Sequence, residues 1–314
     1  MSTKASLASA PRPGPKPRTA GADLVPLRLY GVHRRTVNLV TLACGLFAVF
    51  TVIPIWWIFV SSTKTVNNFN STFGFWFAHP FVLWSNLKEV FSNRESGSYL
   101  QWMGNTAIYA SIGGVGGTAL SAMAGYGFAR FNFRGKNVLF LFIMGALLIP
   151  IVAFAVPLYL VYAKVHMDST MPGIFIPFMI SPVSVYLMRV YAGASVPREL
   201  IDAARIDGAG EARIFLRIAA PLMVPALVTV FMLNVVNAWN NYFLPFIVNN
   251  SAKLYTLTQG MQVWFWHTNI PGSTENFTVI TIAGGMVSIM PLLIMFVVLQ
   301  RYWRGGLLLG SVTG

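Results

Sequence analysis

Charged residues are scarce in this chain of 314 residues, and acidic residues are the scarcest. Only 10% of the residues are Asp, Glu, Lys or Arg, and only nine are Asp or Glu. An ordinary soluble domain has about 25% charged residues. Apolar residues make up 55% of the chain. A soluble protein of this composition would be difficult to keep in solution, so the sequence predicts a membrane protein.

The residues that cofactor chemistry requires are also missing. The single cysteine, Cys44, excludes a disulfide framework and a cysteine-based redox centre. The nearest candidate for a phosphate-binding loop, Gly135-Lys136, lacks the preceding glycine and the following hydroxyl residue of that motif. The four histidines are scattered without the paired spacing of a metal site. We therefore expect no catalytic residues, no metal, and no ATP or other cofactor bound by this chain.

Six long stretches carry no charge. Each meets or exceeds the roughly 18 residues that a membrane-spanning helix needs. They are Val37–Ser62, Trp102–Ala129, Asn137–Ala163, Met171–Met188, Ile218–Ala252 and Asn276–Gln300. The sequence thus predicts an all-α membrane protein with six transmembrane helices. No stretch has an acidic residue at its centre, which argues against a carrier driven by protons or sodium. We expect the energy to come from another subunit.

The distribution of Lys and Arg predicts the orientation. With six spans, both termini and the second and fourth loops share one side, which holds 17 of the 22 basic residues. The positive-inside rule places this side in the cytoplasm. Basic loops facing anionic membrane lipid account for most of the net charge of +13. We therefore expect no nucleic-acid partner.

The most charged segment, residues 190–220, predicts two short amphipathic helices joined by a turn, and we name it the elbow. Pro197 suits a first helical turn, where its missing N–H is not needed. Asp202 stands at helical spacing from Arg198 before it and from Arg205 after it. These features favour a helix over the first arm of the elbow.

Gly208 and Gly210 end that helix, and Gly208 is placed to adopt the left-handed conformation of a helix cap. A second helix starts at Glu211, with Arg213 and Arg217 on its polar face. Its apolar stripe consists of Ile214, Phe215, Ile218 and Ala219. A solvated loop with incidental helicity is the alternative, but such a loop has no need of an apolar stripe on both arms.

The elbow resembles the signature loop of ABC importer membrane subunits, which reads Glu-Ala-Ala, three residues, Gly, nine residues, then Ile-x-Leu-Pro. The residues that correspond to its defined positions are Asp202, Ala203, Ala204, Gly208, Ile218 and Pro221. Two positions depart from it, because Asp replaces Glu at 202 and Ala220 replaces Leu. The segment from 203 to 209 resembles the carbohydrate branch, the maltose-type permeases. The resemblance covers most of the chain and excludes the N-terminal tail.

The resemblance implies a type I ABC importer permease fold in which the elbow is the coupling helix that docks in a cleft of an ATPase. It implies four kinds of partner: a second homologous permease subunit, a dimer of cytoplasmic ATPase subunits that use ATP and Mg, an external solute-binding protein and membrane lipid. The residues to which we assign ATPase coupling are Glu199, Asp202, Ala203, Ala204, Arg205, Asp207 and Gly208.

A cluster of carboxamides marks the end of the fifth span. The candidates for the solute path are Asn234, Asn237, Asn240, Asn241 and Tyr242. Carboxamides facing lipid are costly, so we expect them to face protein or water. Amides and an aromatic ring suit a sugar, and hydrogen bonding between helices is an equally good interpretation. Prolines in the third and fourth spans favour broken helices beside the path.

We therefore expect a non-enzymatic permease subunit of an ATP-driven importer that moves a sugar or oligosaccharide from an external binding protein into the cytoplasm. The alternatives are an ABC importer for a non-sugar solute, such as a glycerol phosphate, an acidic oligosaccharide or a peptide, and a secondary carrier. The predicted organisation is a basic, proline-rich cytoplasmic tail (1–36), a transmembrane domain (37–300) and a cytoplasmic C-terminal tail (301–314). The expected location is the bacterial inner membrane, with both termini in the cytoplasm.

Overall fold

A computed structural model of the chain describes residues 34–92, 98–268 and 277–307. It divides into two units, Met1–Val52 and Ile53–Gly314, and the boundary falls inside the first helix. Nearly all of the predicted N-terminal tail and the last seven residues of the C-terminal tail lie outside the described residues.

Every regular element in the described residues is helical, as the composition predicts. The α-helices in chain order are α1 Arg34–Ser62, α2 Val66–Ser71, α3 Leu83–Ser92, α4 Tyr99–Arg130, α5 Lys136–Gly145, α6 Ala155–Lys164, α7 Met171–Phe175, α8 Pro182–Ser195, α9 Arg198–Ile206, α10 Glu211–Ile214, α11 Ala220–Leu222, α12 Val224–Asn240, α13 Phe243–Val248, α14 Leu257–Thr268 and α15 Phe277–Leu307. Helix α15 thus extends seven residues beyond the predicted sixth span.

Within the described residues, four helical segments are long and apolar enough to cross a membrane. The number rises to six when each of two bent pairs counts as one span. One pair, Lys136–Leu148 and Ile151–Lys164, bends by 98° at Pro150. The other pair, Glu211–Leu222 and Val224–Asn240, bends by 84°. The predicted fifth span, Ile218–Ala252, thus contains this bend, and its longest helix is α12. Ile218 belongs to the second arm of the elbow, whose last turn runs up to the bend.

Helix α4 packs closely against its neighbours because glycines line its contacts. A Cβ added to Gly113 would lie 2.6 Å from Cβ of Phe178. One added to Gly117 would lie 3.1 Å from both the carbonyl oxygen of Phe178 and Nδ2 of Asn234. These two glycines have the small-xxx-small spacing that lets helices approach each other in a membrane.

Two apolar clusters lie at opposite ends of α4. The cluster at its N-terminal end includes Tyr99, Trp102 and Trp264, whose indole stacks on the Tyr99 ring with centroids 5.8 Å apart. All three side chains are buried. Aromatic rings of this size fill a core between helices as readily as they mark an interface. The second cluster, at the C-terminal end of α4, joins α4, α8 and α12 to the elbow.

Candidate functional site

The elbow is a helix, a turn and a second helix, as the sequence predicts. Its first arm, α9, ends in hydrogen bonds from the backbone N–H of Gly208 to the carbonyl of Arg205 and from that of Ala209 to the carbonyl of Ala204, at 3.0 and 2.9 Å. Gly208 has φ +79°, the left-handed conformation that this cap requires. Both features fix the direction in which the chain leaves α9.

The two faces of α9 differ in exposure. Ile201 and Ala204 are buried in the second apolar cluster. Leu200, Ala203 and Ile206 follow each other at three-residue spacing and are exposed, Ile206 to 87% of its surface. An exposed leucine and a largely exposed isoleucine on one helix face suit burial against another protein.

Arg205 links the two arms of the elbow. Its Nε donates to Oε1 of Glu211 over 2.7 Å, and its Nη1 lies 3.3 Å from Oδ1 of Asp202. The hydrogen bond to Glu211 is the main reason that the pKa of Arg205 is raised. The remaining acids of the predicted coupling set, Glu199 in the first turn of α9 and Asp207 at its C-cap, are exposed.

Arg130, the last residue of α4, binds the end of α8, the helix that leads into the elbow. Its Nη2 donates to the carbonyls of Ala192 and Gly193, at 2.6 and 3.0 Å. These belong to the last turn of α8, where carbonyls lack partners within the helix. Sequence reasoning counted Arg130 only as a basic loop residue. The available signal was a basic residue at the last position of a predicted span.

A cavity of about 930 Å³ lies among the broken spans. Three of the prolines that we associated with a solute path, Pro157, Pro177 and Pro182, line it. Its polar lining residues are Ser181, Ser184, Asn234, Asn237 and Asn241. The other described residues that line it are apolar, and none of them is charged.

The structure brings three of the five predicted path residues to this cavity and leaves two outside it. Asn234 is buried and accepts a hydrogen bond from Oγ of Ser184 over 2.7 Å, while its Nδ2 lies 3.4 Å from Oγ1 of Thr118. This is a link between helices. In the described residues, the exposed carboxamide of Asn237 has no hydrogen bond, so it is the path candidate that is free to bind a solute.

The remaining three candidates have more local roles. Oδ1 of Asn241 accepts a hydrogen bond from the backbone N–H of Leu244 over 3.0 Å, at the start of α13. Asn240 is exposed outside the cavity. The Tyr242 ring stacks on Phe246, with centroids 5.2 Å apart. Sequence reasoning missed Ser181 and Ser184, although a serine before Pro182 at a helix start is a recognisable signal.

Within the described residues, no group of three or more His, Cys, Asp or Glu side chains lies close enough together to hold a metal ion.

The helical fold, the charged elbow and the cavity define a class of protein, the membrane-embedded transport subunit. A match to a known family makes this class more specific. Residues 117–305, more than half of the chain, match the model of the family described as binding-protein-dependent transport system inner membrane component. The chain belongs to this family. It is a multi-pass, non-catalytic membrane subunit of an ABC transporter, and a separate subunit hydrolyses ATP.

Individual relatives agree with this assignment. The chain is 34% identical over 216 residues to the arabinooligosaccharides transport system permease protein AraQ of Bacillus subtilis, covering 69% of this chain and 74% of that protein. It is 27% identical to the melibiose/raffinose/stachyose import permease protein MelC of the same organism, covering 89% and 98%. The fold also matches a crystal structure of a bacterial ABC transporter involved in the import of the acidic polysaccharide alginate. That match has a TM-score of 0.73 and 22% identity, and it covers 86% of this chain and 97% of that chain.

Proposed function

We propose that this chain is one permease subunit of an ATP-driven importer that carries an uncharged sugar or oligosaccharide from an external binding protein into the cytoplasm. The relatives named for arabinooligosaccharides and for melibiose, raffinose and stachyose support the substrate class. The partners in this proposal are a second homologous permease, a dimer of ATPases and the binding protein.

One observation carries the proposal: the same three helices hold the elbow and the cavity. Thr118 of α4, Ser184 of α8 and Asn234 of α12 form a hydrogen-bonded group, and two of the three line the cavity. The opposite parts of these helices contact the apolar cluster that contains Ile201 and Ala204 of the elbow. The members of this cluster on the three helices include Tyr126, Met188 and Ala226. A displacement of the elbow would therefore be transmitted to the cavity wall.

In this mechanism the exposed face of α9 docks on an ATPase, and ATP-driven closure of the ATPase pair moves the elbow as a rigid body. The cap at Gly208 and the ion pair between Arg205 and Glu211 keep its two arms together during that movement. Packed helices have discrete alternative arrangements, so the movement switches the path from inward-open to outward-open. We assign the coupling role to α9 and the turn, including Glu199, Asp202 and Asp207.

The lining of the cavity favours an uncharged solute over an acidic one. Carboxamides and hydroxyls bind sugar hydroxyls by hydrogen bonds, and apolar side chains cover the C–H faces of a sugar ring. An acidic oligosaccharide or a glycerol phosphate would require a cationic partner in a desolvated site, and none of the described residues that line this cavity is charged. We place both termini and the elbow in the cytoplasm, because 17 of the 22 Lys and Arg residues fall on that side.

The test starts with the tagged full-length chain, purified from its native membranes in a gentle detergent, and identifies the proteins that copurify. The assembly is reconstituted in liposomes with ATP inside and the binding protein outside. Uptake is then compared for neutral oligosaccharides and for uronic acid oligosaccharides of equal length.

We expect an ATPase, a second permease and a binding protein to copurify, and we expect ATP-dependent uptake of neutral sugars only. Uptake that needs no ATP would favour a secondary carrier. Uptake of the acidic series alone would contradict the substrate class and leave the importer assignment intact.

A further inference from the structure

A basic cavity lies at the ends of three membrane helices, apart from the solute path. It has a volume of about 460 Å³ and is lined by Lys136 at the start of α5, by Arg189 near the end of α8 and by the amide residues Asn132 and Asn137. Arg130, the last residue of α4, lines an adjacent basic cavity that shares Asn132. Residues at the ends of spans lie at the depth of lipid headgroups.

Neither cation that lines the larger cavity is neutralised within the described residues. Nζ of Lys136 donates to the backbone carbonyl of Phe131 over 2.9 Å, and the Arg189 guanidinium lies 3.8 Å from the centroid of the Phe140 ring. The two ion pairs of the described residues both belong to Arg205. Both cations are partly buried and have no carboxylate partner among the described residues, so they are available to an anion.

A separate apolar groove lies further along α5, the helix that Lys136 starts. It has a volume of about 260 Å³ and is lined by Leu141, Phe142, Ala146 and Ile149 with Gly145. Leu141 and Phe142 are exposed to 70% and 75% of their surfaces. Leu141 and Phe142 stand four residues after Asn137 and Val138 of the cavity lining, and residues at this spacing share one face of a helix. The groove therefore lies about 6 Å further along this face of α5, within the length of one elongated molecule.

We propose that this cavity and groove bind one anionic phospholipid, with its phosphate on Lys136 and Arg189 and an acyl chain against Leu141 and Phe142. Basic pockets between membrane helices on the cytoplasmic side bind anionic headgroups in this way. The groove argues against free phosphate, which would need no apolar surface. The depth of the cavity at the ends of spans argues against an acidic segment of a soluble partner.

The site has a consequence for the elbow. Arg189 lies on α8, three residues before the Ala192 carbonyl that Arg130 holds, and α8 leads directly into the elbow. A phospholipid bound there would fix the end of α8 at the membrane surface. The proposal concerns lipid binding alone, so its test is independent of transport and of the proposed function.

The experiment uses the full chain with the proteins that copurify, delipidated in a neutral detergent and titrated with phosphatidylglycerol or with phosphatidylcholine of the same acyl chains. Native mass spectrometry counts the lipids bound per complex. The test variants are Arg189→Gln and the double variant Lys136→Gln/Arg189→Gln. Arg134→Gln is the matched control, because Arg134 is exposed in the same loop and does not line the cavity. Arg189→Lys retains the charge.

We expect phosphatidylglycerol to bind more tightly than phosphatidylcholine and the affinity to fall about fivefold for each cation removed. Arg134→Gln and Arg189→Lys should bind nearly as the natural chain does, and Phe142→Ala should weaken the binding of both lipids. Equal binding of phosphatidylglycerol by the double variant would overturn the proposal, as would an equal loss in Arg134→Gln. Displacement of the lipid by soluble glycerol phosphate at equal concentration would overturn it in favour of a free-phosphate site.

Discussion

Arg205 on α9 donates a hydrogen bond from Nε to Oε1 of Glu211, the first residue of α10, over 2.7 Å. The two residues stand on opposite sides of the turn at Gly208, so this bond closes the angle between the arms of the elbow. Because Glu211 raises the pKa of Arg205 above its already high ordinary value, the guanidinium stays charged throughout the accessible pH range. The contribution of the ion pair to the stability of the elbow is fully present below the ordinary pKa of arginine. It is lost only as the pH rises through the raised pKa of Arg205.

We expect Glu211→Gln to loosen the turn without unfolding the bundle. Both side chains are about half exposed, so salt screens their attraction. Amide hydrogen exchange of Gly208 and Ala209 should be severalfold faster in the variant at low ionic strength, and the difference should shrink in 1 M salt, where the Debye length is about 3 Å. Arg213→Gln is the control, since Arg213 has no ion pair within the described residues. A difference that salt does not change would count against the ion pair.

We expect Gly208→Val to abolish transport while the protein stays in the membrane. Nothing lies within 4 Å of a Cβ built at Gly208, so the obstacle is its φ of +79° and not a steric clash. A left-handed conformation costs a non-glycine residue roughly 1–2 kcal/mol, and a β-branched residue tolerates it least. Uptake in proteoliposomes and the amount of protein in the membrane are the two measurements.

Two variants separate conformation from size at this turn. Gly208→Asn should retain most of the uptake, because asparagine adopts the left-handed conformation more readily than other side chains do. Gly210→Val should do so too, because Gly210 has φ −72° and open space around it. Normal uptake by Gly208→Val would refute the rigid-elbow mechanism.

We expect Gly125→Ala to destabilise the bundle. A Cβ there would lie 2.5 Å from Cβ of Met188 and 2.6 Å from the backbone nitrogen of Arg189, so α4 and α8 would have to move apart. Overpacking of this kind costs about 1–3 kcal/mol. Thermal unfolding in detergent should start at a lower temperature than in the natural chain. Gly127→Ala, two residues further along α4 in open space, should leave the unfolding temperature unchanged.

We expect the carboxamides to separate into structural and solute-binding residues. Asn234→Ala would leave the Ser184 hydroxyl without its partner, and an interhelical hydrogen bond in a membrane is worth about 0.6 kcal/mol on average, so this variant should unfold at a lower temperature. Asn237→Ala should unfold as the natural chain does and raise the KM for sugar uptake. Asn240→Ala should change neither property. A normal KM in Asn237→Ala would remove Asn237 from the solute path.

The elbow was predictable in detail because its structure depends on residues close together in the chain. Helical spacing placed Asp202 beside Arg205, and a glycine after an amphipathic run indicated the left-handed cap. The buried stripe of the second arm, including Ile214 and Ala219, was also predicted correctly. The bend before Val224 was not predicted, because an apolar run alone does not show where a surface helix ends and a span begins.

The cavity was only partly predictable. Helical spacing put Asn234, Asn237 and Asn241 on one stripe, and the structure brings all three to the cavity. Helical spacing could not show that Asn234 is hydrogen-bonded to Ser184, fifty residues earlier in the chain. Nor could it show that Asn237 has no hydrogen bond within the described residues. That distinction depends on how α8 packs against α12.

The membrane class, the helical spans, the elbow and the family follow from hydropathy, charge and local spacing, because these act over a few turns of helix. Which polar groups meet depends on how distant helices pack. The Arg130 contact with the end of α8, the serines of the cavity wall and the basic cavity at Lys136 and Arg189 each join helices that are distant in sequence. Their assembly depends on the close packing that the glycines of α4 permit.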